Sequence, residues 1–177
     1  MAKTIVVLGT GESGVGAAIL AKKKGLDVFV SDRAAISKEN KKVLSNNEIK
    51  WEEGGHRIDK ILQAKEVIKS PGIPDDTGMI KEIKSAGISV VSEVEFAFRY
   101  TKAKVVAITG SNGKTTTTLL VGHILKKAGL DVLVAGNIGI GFAKEIAKRD
   151  YDYIVLELSS FQLDGIKEFK PNVAIIL

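Results

Sequence analysis

The sequence predicts an α/β fold in which two mostly parallel sheets follow one another along the chain, each opened by a strand that runs into a glycine loop and a helix. Three observations lead there. Short apolar runs rich in β-branched residues recur between helix-like stretches. Gly9-Thr10-Gly11-Glu12-Ser13-Gly14 and Gly110-Ser111-Asn112-Gly113-Lys114 each stand between such a run and a helix. Glycine fills 18 of 177 positions, above its usual share of about 7%, which suggests tight turns and backbone pressed against ligands.

The first series of strands is read at residues 4–8, 27–30, 49–51, 66–68 and 89–91. Between the first two, residues 14–24 carry an apolar stripe of Val15, Ala18, Ile19 and Ala21 with a cationic end at Lys22-Lys23-Lys24, closed by Gly25 as a C-terminal cap. A second series is read at 104–109, 131–135, 153–158 and 172–177. The helix after the second glycine loop is expected to turn Leu120, Val121, Ile124, Leu125 and Ala128 toward the core, with His123 a packing or surface residue. A boundary near Lys102 gives a first domain over 1–102 and a second over 103–177. The apolar run 173–177 stops without a following helix or loop, so the second domain reads as the first part of a larger one.

Composition narrows the function classes. Apolar residues at 45% and charged residues at 27% are ordinary for a soluble globular domain. No run approaches the roughly 20 apolar residues that cross a bilayer, and Met1-Ala2-Lys3 leads directly into the first strand instead of a signal peptide; a cytoplasmic protein with no membrane partner is expected. The absence of cysteine excludes a disulfide framework, a thiolate zinc site and a cysteine nucleophile. The net charge of +5 does not point to nucleic acid: Lys22-Lys23-Lys24, Lys41-Lys42 and Lys126-Lys127 fall late in helix-like segments, where they suit the helix dipole, and no aromatic residues interleave with them.

The first glycine loop follows a strand and opens a helix, the context of a dinucleotide fingerprint, and so a Rossmann-like domain. Its amides and the helix dipole favour a diphosphate, and Asp32, 18 residues after Gly14, stands where a ribose hydroxyl would be bound. Any nucleotide diphosphate, NAD or a UDP-sugar, suits that geometry; a tight turn without a ligand is the alternative.

The second loop carries the sharper signal. Lys114 can reach β- and γ-phosphates, Thr115 can offer a hydroxyl to Mg²⁺, and the amides around Asn112 and Gly113 can cradle phosphate oxygens. The spacing Gly-x-x-Gly-Lys-Thr is shorter than the common P-loop, whose first glycine position is Ile108 here. Four consecutive threonines, Thr115 to Thr118, form helix poorly and are better explained by ligand contact. Glu157, closing the apolar run 153–156, fits the second carboxylate that such a metal needs. Ser159, Ser160 and Gln162 follow it as substrate-orienting residues or as a helix cap, and Gly136-Asn137-Ile138-Gly139 ends the preceding strand toward the same cleft.

Thr-Gly-Ser-Asn-Gly-Lys-Thr-Thr (109–116), Gly-Asn-Ile-Gly (136–139) and Glu-Leu-Ser-Ser-Phe-Gln-Leu (157–163), in this order, resemble the Mur ligases of peptidoglycan synthesis. Ser70-Pro71-Gly72-Ile73-Pro74 and Ser92-Glu93-Val94-Glu95-Phe96 are similar to the first domain of the D-glutamate-adding branch. The resemblance covers all 177 residues and implies a Rossmann-like UDP-binding domain followed by the first part of a P-loop ATPase domain. It implies a monomeric ATP-dependent ligase in which ATP phosphorylates the alanine carboxylate of UDP-N-acetylmuramoyl-L-alanine and the D-glutamate amine attacks the acyl phosphate. Carried over by position, Ser13, Asp32, Arg33 and Gly72 would bind the UDP-sugar; Gly110, Ser111, Asn112, Gly113, Lys114, Thr115 and Thr116 would bind ATP. Thr115 and Glu157 would hold Mg²⁺, Lys114 and Glu157 would serve phosphoryl transfer, and Asn137, Ser159 and Gln162 would line the sugar-peptide end. The family's later metal-binding histidine, modified lysine and amino-acid-binding domain have no counterpart up to Leu177, so this stretch alone is expected to bind the UDP-sugar without turnover.

Two other readings stay open. One is a Mur-type ligase that adds a different amino acid. The other is a non-enzymatic module, an NAD(H)-sensing Rossmann domain fused to a P-loop regulatory ATPase, against which the shortened loop and Glu157-Leu158-Ser159-Ser160 weigh. A dehydrogenase would have only His56 and His123 for its catalytic pair, and His56, after Gly54-Gly55, reads as a loop residue.

Overall fold

The computed structural model describes residues 4–177, and the lead-in at Met1 to Lys3 lies outside the described residues. The first half alternates β1 (Ile5–Leu8), α1 (Glu12–Lys23), β2 (Val28–Ser31), α2 (Lys38–Asn46), β3 (Lys50–Glu52), α3 (Ile58–Ile61), β4 (Glu66–Lys69), α4 (Gly78–Ser85), β5 (Ser89–Ser92) and α5 (Glu93–Phe98). The second half continues with β6 (Lys104–Thr109), α6 (Lys114–Lys127), β7 (Val132–Gly136), α7 (Phe142–Ile146), β8 (Tyr153–Glu157), α8 (Ser160–Leu163) and β9 (Val173–Ile176).

Five strands form one parallel sheet in the order β3-β2-β1-β4-β5, and four form a second in the order β7-β8-β6-β9. The order reverses beside β1 in the first sheet, leaving a crevice at the carboxyl ends of β1 and β4 where open α/β sheets take ligands. β1 is central and buried along its whole length, which is why Ile5-Val6-Val7-Leu8 is a continuous apolar run without alternation. Most strands begin or end one residue from the sequence reading; β2 extends to Ser31 and β3 to Glu52.

Two expectations about helix faces hold only in part. α1 does not bury one stripe: Val15, Gly16, Ala17, Ala18, Leu20 and Ala21 are all buried, because the helix is enclosed by its own sheet on one side and by α5 and α7 on the other. α1 and α7 run side by side, with Glu12 against Gly141, Gly16 against the Lys144 backbone, and Lys23 Nζ donating to the Ala147 carbonyl at 2.9 Å. One apolar cluster therefore runs unbroken from Val7 through Leu20 and Phe142 to Leu156.

In α6 the predicted face is right for Val121 and Leu125 and wrong for Leu120, Ile124 and Ala128. Thr118 and Gly122 are buried while Leu120 and Ile124 are 55% and 56% exposed, and Ala128 is also exposed. The helix meets its sheet through Gly122, whose missing side chain lets Val134 approach closely. Val121 and Leu125 share that inner side and pack near Ile108 and Val155, whereas His123 is exposed.

Candidate functional site

The first glycine loop is built for close backbone approach. A Cβ at Gly14 would lie 2.0 Å from the Gly9 carbonyl oxygen, so no side chain fits there. Asp32, just beyond β2, fastens the loop: its carboxylate accepts from the Thr10 amide at 2.7 Å, the Thr10 hydroxyl at 2.5 Å and the Ala34 amide at 2.9 Å. Burial alone pushes the Asp32 carboxyl up, but the Thr10 hydroxyl and the two amides outweigh it and hold the group below its ordinary value, with His56 helping. A cavity of about 600 Å³ opens here, bordered by Gly9, Asp32, Arg33, His56, Gly72 and Ile73. Three predicted substrate residues, Asp32, Arg33 and Gly72, thus border one cavity at the crevice beside β1; Ser13, in the first turn of α1, does not.

Register brings the second loop to its carboxylate. Glu157 pairs with Ile108 of β6 and with Gly136 of β7, so the loop after β6 and the loop after β7 both end beside it. Its side chain, in a residue 1% exposed, accepts from the Thr115 hydroxyl at 2.7 Å through Oε2 and from the Asn137 amide at 3.1 Å through Oε1. Gly136, at φ +102°, lets the loop cross the end of β8: a Cβ there would stand 2.1 Å from the Glu157 carbonyl. Lys114 Nζ folds over its own loop onto the carbonyls of Gly110 at 2.8 Å and Ser111 at 3.4 Å. Asn112 and Thr116 are exposed at the mouth, while the Ser111 amide donates to the Leu177 carbonyl at 3.3 Å.

Ser159 and Gln162 occupy one another. Ser159 is the N-cap of α8, and its hydroxyl and amide pair with the Gln162 amide and side chain in a capping box. The cap alternative for these residues is what their hydrogen bonds display, although both stand one turn past Glu157.

The donors fit magnesium. Thr115 and Glu157 present hard oxygens already in contact, and among the described residues no cluster of three or more His, Cys, Asp or Glu side chains forms a softer or all-protein metal cage. Mg²⁺ is ordinarily held by one or two protein oxygens together with nucleotide phosphates. Sequence reasoning missed Thr10 as the anchor of the first loop and His56 as a cavity residue. The position of His56, just past the carboxyl end of β3, is the signal that could have found it, since ligand loops gather at that edge.

Residues 4–79 match the profile of the MurD N-terminal domain, and residues 108–177 match that of the Mur ligase middle domain. The chain belongs to the Mur ligase family. Among curated Mur ligases, it is 55% identical over 175 residues to the UDP-N-acetylmuramoylalanine–D-glutamate ligase of Bacteroides fragilis, covering 99% of this chain and 39% of the relative. It is 57% identical over 173 residues to the ligase of that name from Porphyromonas gingivalis, covering 98% of this chain and 38% of the relative. The chain therefore spans about two fifths of the length of these relatives. Among solved Mur-type structures, a pseudomurein peptide ligase type C from Methanothermus fervidus aligns at TM-score 0.53 and 29% identity, over 98% of this chain and 37% of that one. The UDP-N-acetylmuramate:L-alanyl-gamma-D-glutamyl-meso-diaminopimelate ligase of Neisseria meningitides shares the fold at TM-score 0.62 and 20% identity, over 99% of this chain and 60% of that one. Among the described residues no helix is long and apolar enough to cross a membrane.

Proposed function

We propose that this chain is the nucleotide-handling part of a cytoplasmic, monomeric, ATP-dependent ligase that joins D-glutamate to UDP-N-acetylmuramoyl-L-alanine through an acyl phosphate. The observation that carries the reading is Glu157, a buried carboxylate shared between the Thr115 hydroxyl of one loop and the Asn137 amide of the next. In this reading residues 1–102 form the UDP-sugar domain and residues 103–177 the opening part of the ATP domain. The Gly110 to Thr116 segment wraps the ATP phosphates with its amides, and Lys114 releases the Gly110 carbonyl to meet them. Thr115 and Glu157 would hold Mg²⁺, which would supply positive charge to offset that of the phosphates. Asp32, Arg33 and Gly72 receive the uridine end, with Ser13 at the helix terminus beside the diphosphate. Asn137, Ser159 and Gln162 stand toward the sugar-peptide, where the acceptor carboxylate must meet the γ-phosphate.

Calorimetric titration with UDP-N-acetylmuramoyl-L-alanine, with NADH as the control ligand, tests this. Binding of the UDP-sugar and not of NADH is expected; binding of NADH alone overturns the ligase reading. The chain by itself is expected to release no phosphate in the presence of D-glutamate and ATP.

A further inference from the structure

One polar relay on the cavity wall has no part in the assignments above. Ser31 and Glu52 are register partners on β2 and β3 and share a hydrogen bond of 2.8 Å, and Ser31 Oγ also lies 2.7 Å from His56 Nδ1. Ser31 is fully buried. The proton positions follow from counting donors. A carboxylate oxygen accepts, so Glu52 Oε1 takes two donors, the Arg57 amide at 2.8 Å and the Ser31 hydroxyl. A serine has one proton. With it committed to Glu52, Ser31 Oγ accepts from His56, and the hydrogen resides on Nδ1.

Burial of the ring favours the neutral imidazole. Burial lowers its pKa from the ordinary histidine value; the nearby Asp32 and Glu52 carboxylates oppose that shift and Arg33 reinforces it. A neutral ring protonated at Nδ1 carries its free lone pair on Nε2. Among the described residues Nε2 makes no hydrogen bond, and the ring borders the cavity beside Asp32, Arg33 and Gly72.

We propose that His56 is a specificity-determining residue of this cavity: Ser31 and Glu52 fix its tautomer so that Nε2 accepts a hydrogen bond from an N–H or O–H donor of the bound uridine. The inference rests on the reading of the cavity as a uridine-nucleotide site. Uridine offers the pyrimidine N3–H and the ribose hydroxyls as donors; a cytosine ring has an unprotonated N3 and would meet Nε2 lone pair to lone pair.

The experiment is calorimetric titration of the chain and of His56→Phe and His56→Gln with UDP, 3-methyl-UDP, 2′-deoxy-UDP and 3′-deoxy-UDP. His56→Phe is expected to weaken UDP about 3- to 10-fold, the range of one hydrogen bond, and His56→Gln, which restores an acceptor oxygen, to recover part of the loss. An analogue lacking the matching donor binds the unmodified chain more weakly than UDP does, and that penalty disappears in His56→Phe. Loss of the 3-methyl penalty assigns the contact to the base, and loss of a deoxy penalty assigns it to the ribose. Unchanged UDP affinity in His56→Phe, equal losses in both variants, or analogue penalties that persist in His56→Phe overturn the proposal while leaving the cavity assignment intact. Failure of the unmodified chain to bind UDP overturns the cavity assignment itself.

Discussion

Glu93 offers the sharpest test of how the two sheets are joined. It opens α5, is 4% exposed, and accepts the Ala143 amide of α7 at 2.5 Å, so it sits in the seam between the halves. Burial pushes its carboxyl up to about 7; the Ala143 amide opposes this and the neighbouring Glu12 carboxylate adds to it. The ordinary glutamate value is 4.5, so the rise is about 2.5 units, and at about 1.36 kcal/mol per unit ionisation in place costs about 3 kcal/mol. The sign follows from proton counting. Between pH 4.5 and 7 the native state holds the proton that the unfolded chain has released, so stability falls as pH rises through that window and levels off above it. Glu93→Gln keeps an acceptor for Ala143 and cannot ionise. Urea denaturation of both proteins at pH 4.5 and pH 8 should show the variant gaining about 3 kcal/mol relative to wild type between the two. The histidines and other carboxylates titrate in both proteins and largely cancel in the difference. A difference that is flat with pH, or that shrinks toward pH 8, refutes the idea that this carboxylate is held neutral in the seam.

Three further outcomes are expected. Gly136→Ala should lose more than about 2 kcal/mol in thermal or urea unfolding, since both its positive φ and the Glu157 backbone resist a side chain. Leu120→Glu should change stability by less than about 0.5 kcal/mol, whereas Leu133→Ala, 6% exposed, should cost about 2–5 kcal/mol; equal large losses would restore the sequence-predicted face of α6. Asp32→Ala frees the Thr10 amide and hydroxyl, and titration with UDP should show at least about a tenfold loss of affinity, with wild-type affinity as the outcome that disproves the anchoring role.

The succession of strands along the chain and the placement of the glycine loops follow local rules, and so much of this architecture could be read from the sequence. A β-branched run followed by Gly-x-Gly or Gly-x-x-Gly-Lys-Thr carries its own geometry: the strand is largely buried, and the glycines admit the backbone contacts that Gly14 and Gly110 display. Register then supplied what spacing could not, carrying Thr115, Asn137 and Glu157 to one point. The misreadings share a cause. The faces of α1 and α6 depend on which other elements pack there, and periodicity counts apolar residues without knowing their neighbours. Leu120 and Ile124 of α6 satisfied the helical period, yet Gly122 made the contact, with Val121 and Leu125 beside it. His56 escaped for a related reason: its role comes from Ser31, 25 residues earlier, through a strand pairing that no local pattern encodes.

The enclosure of α1 means that the junction near Lys102 divides sequence modules without dividing the energetics. The helix that follows the first glycine loop also forms the floor on which α7 rests, and Glu95 reaches across to accept the amides of Lys167, Glu168 and Phe169. A polypeptide cut at that junction would leave Leu20 and its neighbours facing water and the Glu95 carboxylate without its amide donors. The two halves are therefore expected to unfold together as a single cooperative unit.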